Sequence, residues 1–186
     1  MRPKYATRGI VLARHPMGEA SASVAFLTAE FGLIRTRVQG IRKPGAKLAP
    51  ALQTFAECDA ILVRGKDGWR LSGAILVENW FRTLTSSARE RAGRVASLVQ
   101  RLVHGESADH AVFLAFSEFL AALPTLSEEA QDAAEVLAAL RIVRALGLDA
   151  GTVPGETYDE ATLRLLTEDR RGAVLRINNG LRASGL

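Results

Sequence analysis

The apolar and polar positions of the chain change period once, near residue 80. Before that point they alternate in short runs separated by glycine. From Leu33 to Val38, Ile34, Thr36 and Val38 share one side while Arg35 and Arg37 point the other way, which is the period of a half-buried strand. Runs of the same kind predict strands over residues 5–14, 23–28, 53–64 and 69–76. Turns are predicted at His15–Glu19 and Glu30–Gly32, and a hairpin connection at Gly65–Gly68. After Asn79 the period becomes helical. Ser87-Ala88-Arg89-Glu90 reads as a capping box, and Ala88, Ala92, Val95, Val99 and Leu102 then fall on one face, with Arg94 and Arg101 on its flank. Further helices are predicted over 108–123, from Ser127 to Gly147, and near 159–167 and 171–182.

Five strands in about 75 residues, joined by glycine-bearing turns, suit a small closed barrel of the OB type, which often binds oligonucleotides on an exposed face and its flanking loops. The expected fold class is therefore α+β. A five-stranded OB-fold barrel over residues 1–80 is followed by an all-helical domain over 81–186. Charge supports a boundary at that place. Residues 1–80 hold 12 Lys/Arg against 6 Asp/Glu, whereas residues 81–186 hold 12 against 14, so the net +4 of the chain arises in the first part.

Much of that excess sits in one stretch. Arg35 and Arg37 on the outer side of a strand lead into a loop, punctuated by Gly40, Pro44 and Gly45, that carries Arg42, Lys43 and Lys47 and no acid. Five cations on one strand and its loop would attract a polyanion, although a solvated basic loop on an ordinary barrel has the same composition. Gly40 and Gly45 imitate a phosphate-cradling loop, but that motif needs Gly-Lys-Ser/Thr. Here Gly45-Ala46-Lys47-Leu48 puts the lysine one place late and lacks the hydroxyl.

Other chemistry is sparse. His15, His104 and His110 belong to separate elements, no nucleophile elbow occurs, and no catalytic residues are assigned. Cys58, the only cysteine, excludes an intrachain disulfide and a cysteine-cluster zinc site, and no cofactor is expected. Glu128 and Glu129 at a helix start, with Arg141 and Arg144 near its end, match the helix dipole. Phe26 and Phe55 fall at core-facing strand positions, while Phe31 and Trp69 lie beside turns, positions from which an exposed ring can stack on a base. With no secretion signal or apolar span legible, a cytoplasmic protein is the simplest expectation.

The ordered pieces Gly9-Ile10-Val11-Leu12, Gly18-Glu19, Phe26-Leu27-Thr28-x-x-Phe31-Gly32, Val38-Gln39-Gly40-x-Arg42-Lys43 and Ala51-Leu52-Gln53-x-Phe55 resemble the N-terminal domain of the bacterial recombination mediator RecO. Leu140 to Leu148 is similar, more loosely, to the family's leucine-rich helix ending in Leu-Gly. The resemblance implies an OB-fold joined to a helical domain that acts without nucleotide hydrolysis. It implies binding of single- and double-stranded DNA, annealing of complementary strands, and work with RecR to load RecA onto DNA coated by single-strand-binding protein. It also points to Arg35, Arg37, Arg42, Lys43 and Lys47 as DNA contacts, and to a site on the helical domain for the acidic C-terminal tail of single-strand-binding protein. Arg141 and Arg144, three apart on one helix, with Arg101 nearby if the helices pack together, are the candidates for that tail. Many family members carry a four-cysteine zinc module where Asp149 to Thr157 stands here without cysteine, which leaves RecR binding in doubt. Two other readings stay open: an OB-type RNA-binding module, and a protein-binding adaptor whose barrel is only a scaffold.

Overall fold

The computed structural model describes residues 3–19, 21–41, 48–66, 68–106 and 109–185. The chain divides into two compact units: Met1–Thr83 with His104–Phe113, and Leu84–Val103 with Leu114–Leu186.

The first unit is a closed barrel of five strands: β1 (Lys4–Met17), β2 (Ser21–Thr28), β3 (Gly32–Val38), β4 (Ala56–Gly65) and β5 (Gly68–Asn79). Around the barrel the order is β1-β2-β3-β5-β4, with β4 pairing back to β1. Every pairing is antiparallel except β3 with β5, which run parallel and meet at Thr36 opposite Trp69 and Arg37 opposite Arg70. The interior holds Val11, Val24, Phe26, Ile34, Leu52 and Leu62. In β3 alternation turns Ile34 and Val38 inward and Arg35 and Arg37 outward, whereas in β1 and β2 the consecutive residues Ile10–Leu12 and Val24–Leu27 are all buried, and Leu52 enters from a 3-10 turn. Gly9 makes room for the largest of them: a Cβ there would stand 2.4 Å from the Phe26 ring. Gly32 opens β3 at φ +64°, a conformation that a side chain at that position would disfavour.

Of the predicted boundaries that differ from the observed ones, three have a clear local reason. His15-Pro16-Met17 was expected in a turn, but β1 continues to Met17 because β2 pairs with it as far as Met17 opposite Ser21. Beyond Ile10 β1 has no β4 partner, and proline is tolerated on such an edge. The fourth strand begins at Ala56 rather than Gln53. A 3-10 turn over Pro50–Leu52 sends Ala51 and Leu52 into the core, and Phe55 then takes φ +62° while its N–H donates to the Val11 carbonyl at 2.8 Å. Phe55 is buried as expected, but from a turn. Finally, the cap of the first long helix is Thr85, whose hydroxyl accepts from the Ala88 N–H, rather than Ser87.

A short helix, α1 (Trp80–Thr83), leaves the barrel, where the Trp80 indole N–H donates to buried Glu57 at 3.2 Å. The second unit is helical: α2 (Ser86–Leu102), most of α3 (His110–Ala122), α4 (Glu128–Ala145), α5 (Glu160–Glu168) and α6 (Arg170–Ala183). The predicted α2 stripe of Ala88, Ala92, Val95, Val99 and Leu102 is buried. Ser127 caps α4 and Asp159 caps α5, each through its own side chain. Gly147, at φ +71°, follows the end of α4. Among the described residues no helix is long and apolar enough to cross a membrane.

Candidate nucleic-acid interface

On β3 the burial alternates as the pattern requires: Ile34, Thr36 and Val38 are buried, and Arg35 and Arg37 are exposed. Among the described residues neither guanidinium forms an ion pair. The parallel junction of β3 with β5 then adds a neighbour that the linear pattern does not reveal. Arg70, exposed on β5, stands directly opposite Arg37. The β4–β5 hairpin brings Lys66 to the same place, so that Arg37, Gln39, Lys66, Trp69 and Arg70 line one cleft of about 260 Å³. No carboxylate lines it among the described residues. Asp67 lies outside them, as do Arg42, Lys43 and Lys47 of the predicted stripe.

Lys66 and Arg70 were therefore missed at the level of sequence. The alternation Trp69-Arg70-Leu71 does turn Arg70 outward, but only the register of two strands more than thirty residues apart shows that it adjoins Arg37. Like charges at this spacing repel, and a phosphate between them would relieve that repulsion.

The rings play another part. Trp69 is only 5% exposed and packs against Tyr5 and Phe31, with ring centroids 5.4 and 5.3 Å away. Its indole N–H is buried too, so Trp69 is a core residue rather than a stacking platform, and Phe31 is half-buried in the same cluster. Arg64 lies 5.2 Å above the Trp69 ring and is ion-paired with Glu106, which neutralises one cation near the cleft. What remains exposed is cationic and poor in rings, a surface whose chemistry suits a phosphate backbone better than base faces.

Cys58 lies inside the barrel, and burial together with Asp59 and Glu57 pushes its thiol up to about 12. It is not a thiolate near neutral pH and is a packing residue. Among the described residues no group of His, Cys, Asp and Glu is placed to hold a metal ion.

The three helical-domain arginines proposed for an acidic tail have different surroundings. Arg141 is largely buried, donates to Glu118 at 2.5 Å and lies 5.8 Å from the Tyr158 ring, so it braces α3 and the segment before α5 rather than facing outward with Arg144. Arg144 is exposed at the end of α4. Arg101 is exposed on α2, in a shallow groove with Glu90, Gly93 and Arg94. Helices α2 and α4 do pack together, side by side and parallel: Ser87 meets Glu128, Arg91 meets Asp132, and Arg94 meets Glu135.

A closed five-stranded barrel in the order 1-2-3-5-4, with β3 parallel to β5 and cations clustered on that junction, is an OB-fold with an electropositive outer face. Residues 1–80 match the family described as Recombination protein O N terminal. The same stretch is similar to the DNA repair protein RecO of Gloeothece citriformis, with 34% identity over 80 residues. The match takes in 43% of this chain and 28% of that relative's length.

Proposed function

We propose that this chain binds DNA and anneals complementary strands in recombinational repair, assisting the loading of RecA on DNA coated by single-strand-binding protein. The observation that carries this reading is the uncompensated cationic face on β3 and β5 of a RecO-type barrel. The mechanism is electrostatic. Arg35 and Arg37, joined by Arg42, Lys43 and Lys47 further along the chain, replace counterions along the phosphates and lower the repulsion between two strands held on one protein. No side chain need act as acid, base or nucleophile for this, and no cofactor enters. RecR is a further proposed partner. The acidic tail of single-strand-binding protein would meet Arg101 and Arg144 as exposed cations, with Arg141 held by Glu118.

Annealing of complementary oligonucleotides, with and without single-strand-binding protein, tests the reading. Acceleration that disappears in the Arg35→Ala, Arg37→Ala variant supports it. Stronger binding to structured RNA than to either form of DNA would favour an RNA-binding module. Absence of nucleic-acid binding at low salt would leave a protein-binding adaptor.

A further inference from the structure

Helix α6 divides its arginines between two faces. Arg170 and Arg176 are held by Asp132 and Asp149. On the same inner side Ala173 and Gly180 are buried, and a Cβ at Gly180 would stand 3.0 Å from the Leu148 carbonyl oxygen. Arg171, Leu175, Asn178, Asn179 and Arg182 follow one another at helical spacing on the other face, and all five are exposed. The helix contains no Asp or Glu. Among the described residues Arg171 and Arg182 form no ion pair, and the two carboxamides form no hydrogen bond. Packing does not account for this row, and the helix dipole accounts only for Arg182, in the last turn. Arg171 stands in the first turn, where the dipole disfavours a cation, and unlike Arg170 it has no carboxylate to offset that.

We propose that the outer face of α6 binds the sugar-phosphate backbone of a second DNA strand, with Arg171 and Arg182 on separate phosphates and Asn178 and Asn179 donating to oxygens between them. This rests on the annealing reading above, which needs two strands on one protein, while the β3–β5 face accounts for one of them. The length of the row calls for an extended polyanion. Arg171 and Arg182 are about 16 Å apart along the helix axis, so a single anionic group reaches one of them and a nucleic-acid backbone reaches both. The residues between them favour DNA over an acidic peptide. Carboxamides both donate and accept, which suits phosphate oxygens and base edges, whereas a run of carboxylates has no use for the acceptors. Leu175 alone makes no pocket for an apolar side chain, but it can lie against a deoxyribose. Contacts of this kind carry no sequence preference, as capture of a strand before pairing requires.

Native mass spectrometry of the full chain with a short oligothymidylate, which cannot pair with itself, counts the strands on each protein. The unmodified chain should carry two. The Arg171→Glu, Arg182→Glu variant should carry one, its affinity for the second strand lowered by on the order of tenfold at low salt and that for the first unchanged. Annealing of complementary oligonucleotides should slow in the same variant. Arg35→Ala, Arg37→Ala should instead weaken the tighter strand, and so reports on the underlying reading. Circular dichroism and melting of each variant establish that it is folded. Two strands retained by the α6 variant, or only one on the unmodified chain, would overturn the α6 site and leave DNA binding standing. Equal strand counts in both, with an aspartate-rich peptide bound by the unmodified chain alone, would assign the face to an acidic protein segment instead. No oligonucleotide on the unmodified chain at low salt would remove the DNA-binding reading itself.

Discussion

The two units carry arginine in similar numbers but use it differently. In the helical unit Arg91, Arg94, Arg141, Arg164, Arg170 and Arg176 each meet a carboxylate. Asp132 and Glu135 on α4 tie α2 and α6 to that helix, and Arg176 on α6 holds Asp149 and the Thr152 carbonyl. On the β3–β5 face of the barrel, Arg35, Arg37, Lys66 and Arg70 make no ion pair among the described residues. The opposite outer side of the barrel behaves like the helices, since Arg8 is held by Asp59 at 2.7 Å and Glu57 at 3.5 Å. Net charge alone does not separate a binding cation from a bracing one. Pairing does, because a guanidinium already bonded to carboxylates must break those bonds before it can hold a phosphate.

Charge reversal gives the largest effect and strikes each half of this contrast. Arg35→Glu, Arg37→Glu should weaken binding to single-stranded DNA by on the order of tenfold to a hundredfold at low salt while leaving the melting transition near its original position. Arg91→Glu, Arg94→Glu should do the reverse, destabilising the fold by about 1–3 kcal/mol through repulsion of Asp132 and Glu135 and leaving DNA affinity unchanged. Anisotropy and urea unfolding on both proteins would expose any exchange of these roles.

Acid should act on the paired half alone. Hydrogen bonds from Arg176 hold the Asp149 carboxyl below its ordinary range, and those from Arg170 and Arg91 do the same for Asp132. A depressed carboxyl stabilises the fold above its unfolded pKa, and that contribution is lost as pH falls through the folded value. The melting temperature should therefore hold steady from neutral pH to about 4 and decline below it. In Asp149→Asn the stability at neutral pH should already be lower by about 1–2 kcal/mol and the acid decline shallower. An acid profile identical to that of the unmodified chain would show that the Arg176 pair contributes nothing.

Glu106 tests the boundary between the two kinds of arginine. Removing its charge in Glu106→Gln should release Arg64 to the β3–β5 face proposed to bind DNA, strengthening single-strand affinity a few-fold and steepening the salt slope by about 0.7. A weaker or unchanged affinity would mean that Arg64 stays on the Trp69 ring whether or not it is paired. The smallest effect is expected at Cys58. Buried and with its thiol pushed up, it should resist alkylation in the folded protein at pH 8 and react at the ordinary rate in denaturant, as a thiol-reactive dye would report.

The outward direction of Arg35 and Arg37, the barrel-then-helices order and the buried stripe of α2 were all legible in the chain. Each follows from a local repeat of 2 or 3.6 residues, which backbone geometry turns directly into a face. The same locality explains why the start of β4 and the Thr85 cap were displaced by two or three residues: a 3-10 turn at Pro50 and a hydroxyl competing for one N–H shift an end without changing the period. Tertiary structure alone decided who stands beside whom. It placed Arg70 against Arg37 through the parallel closure of β3 on β5, drew Trp69 into the core against Tyr5, and turned Arg141 onto Glu118 and Tyr158. Those outcomes depend on register between segments far apart in the chain, and a local repeat states which face a side chain takes but not what it will meet there.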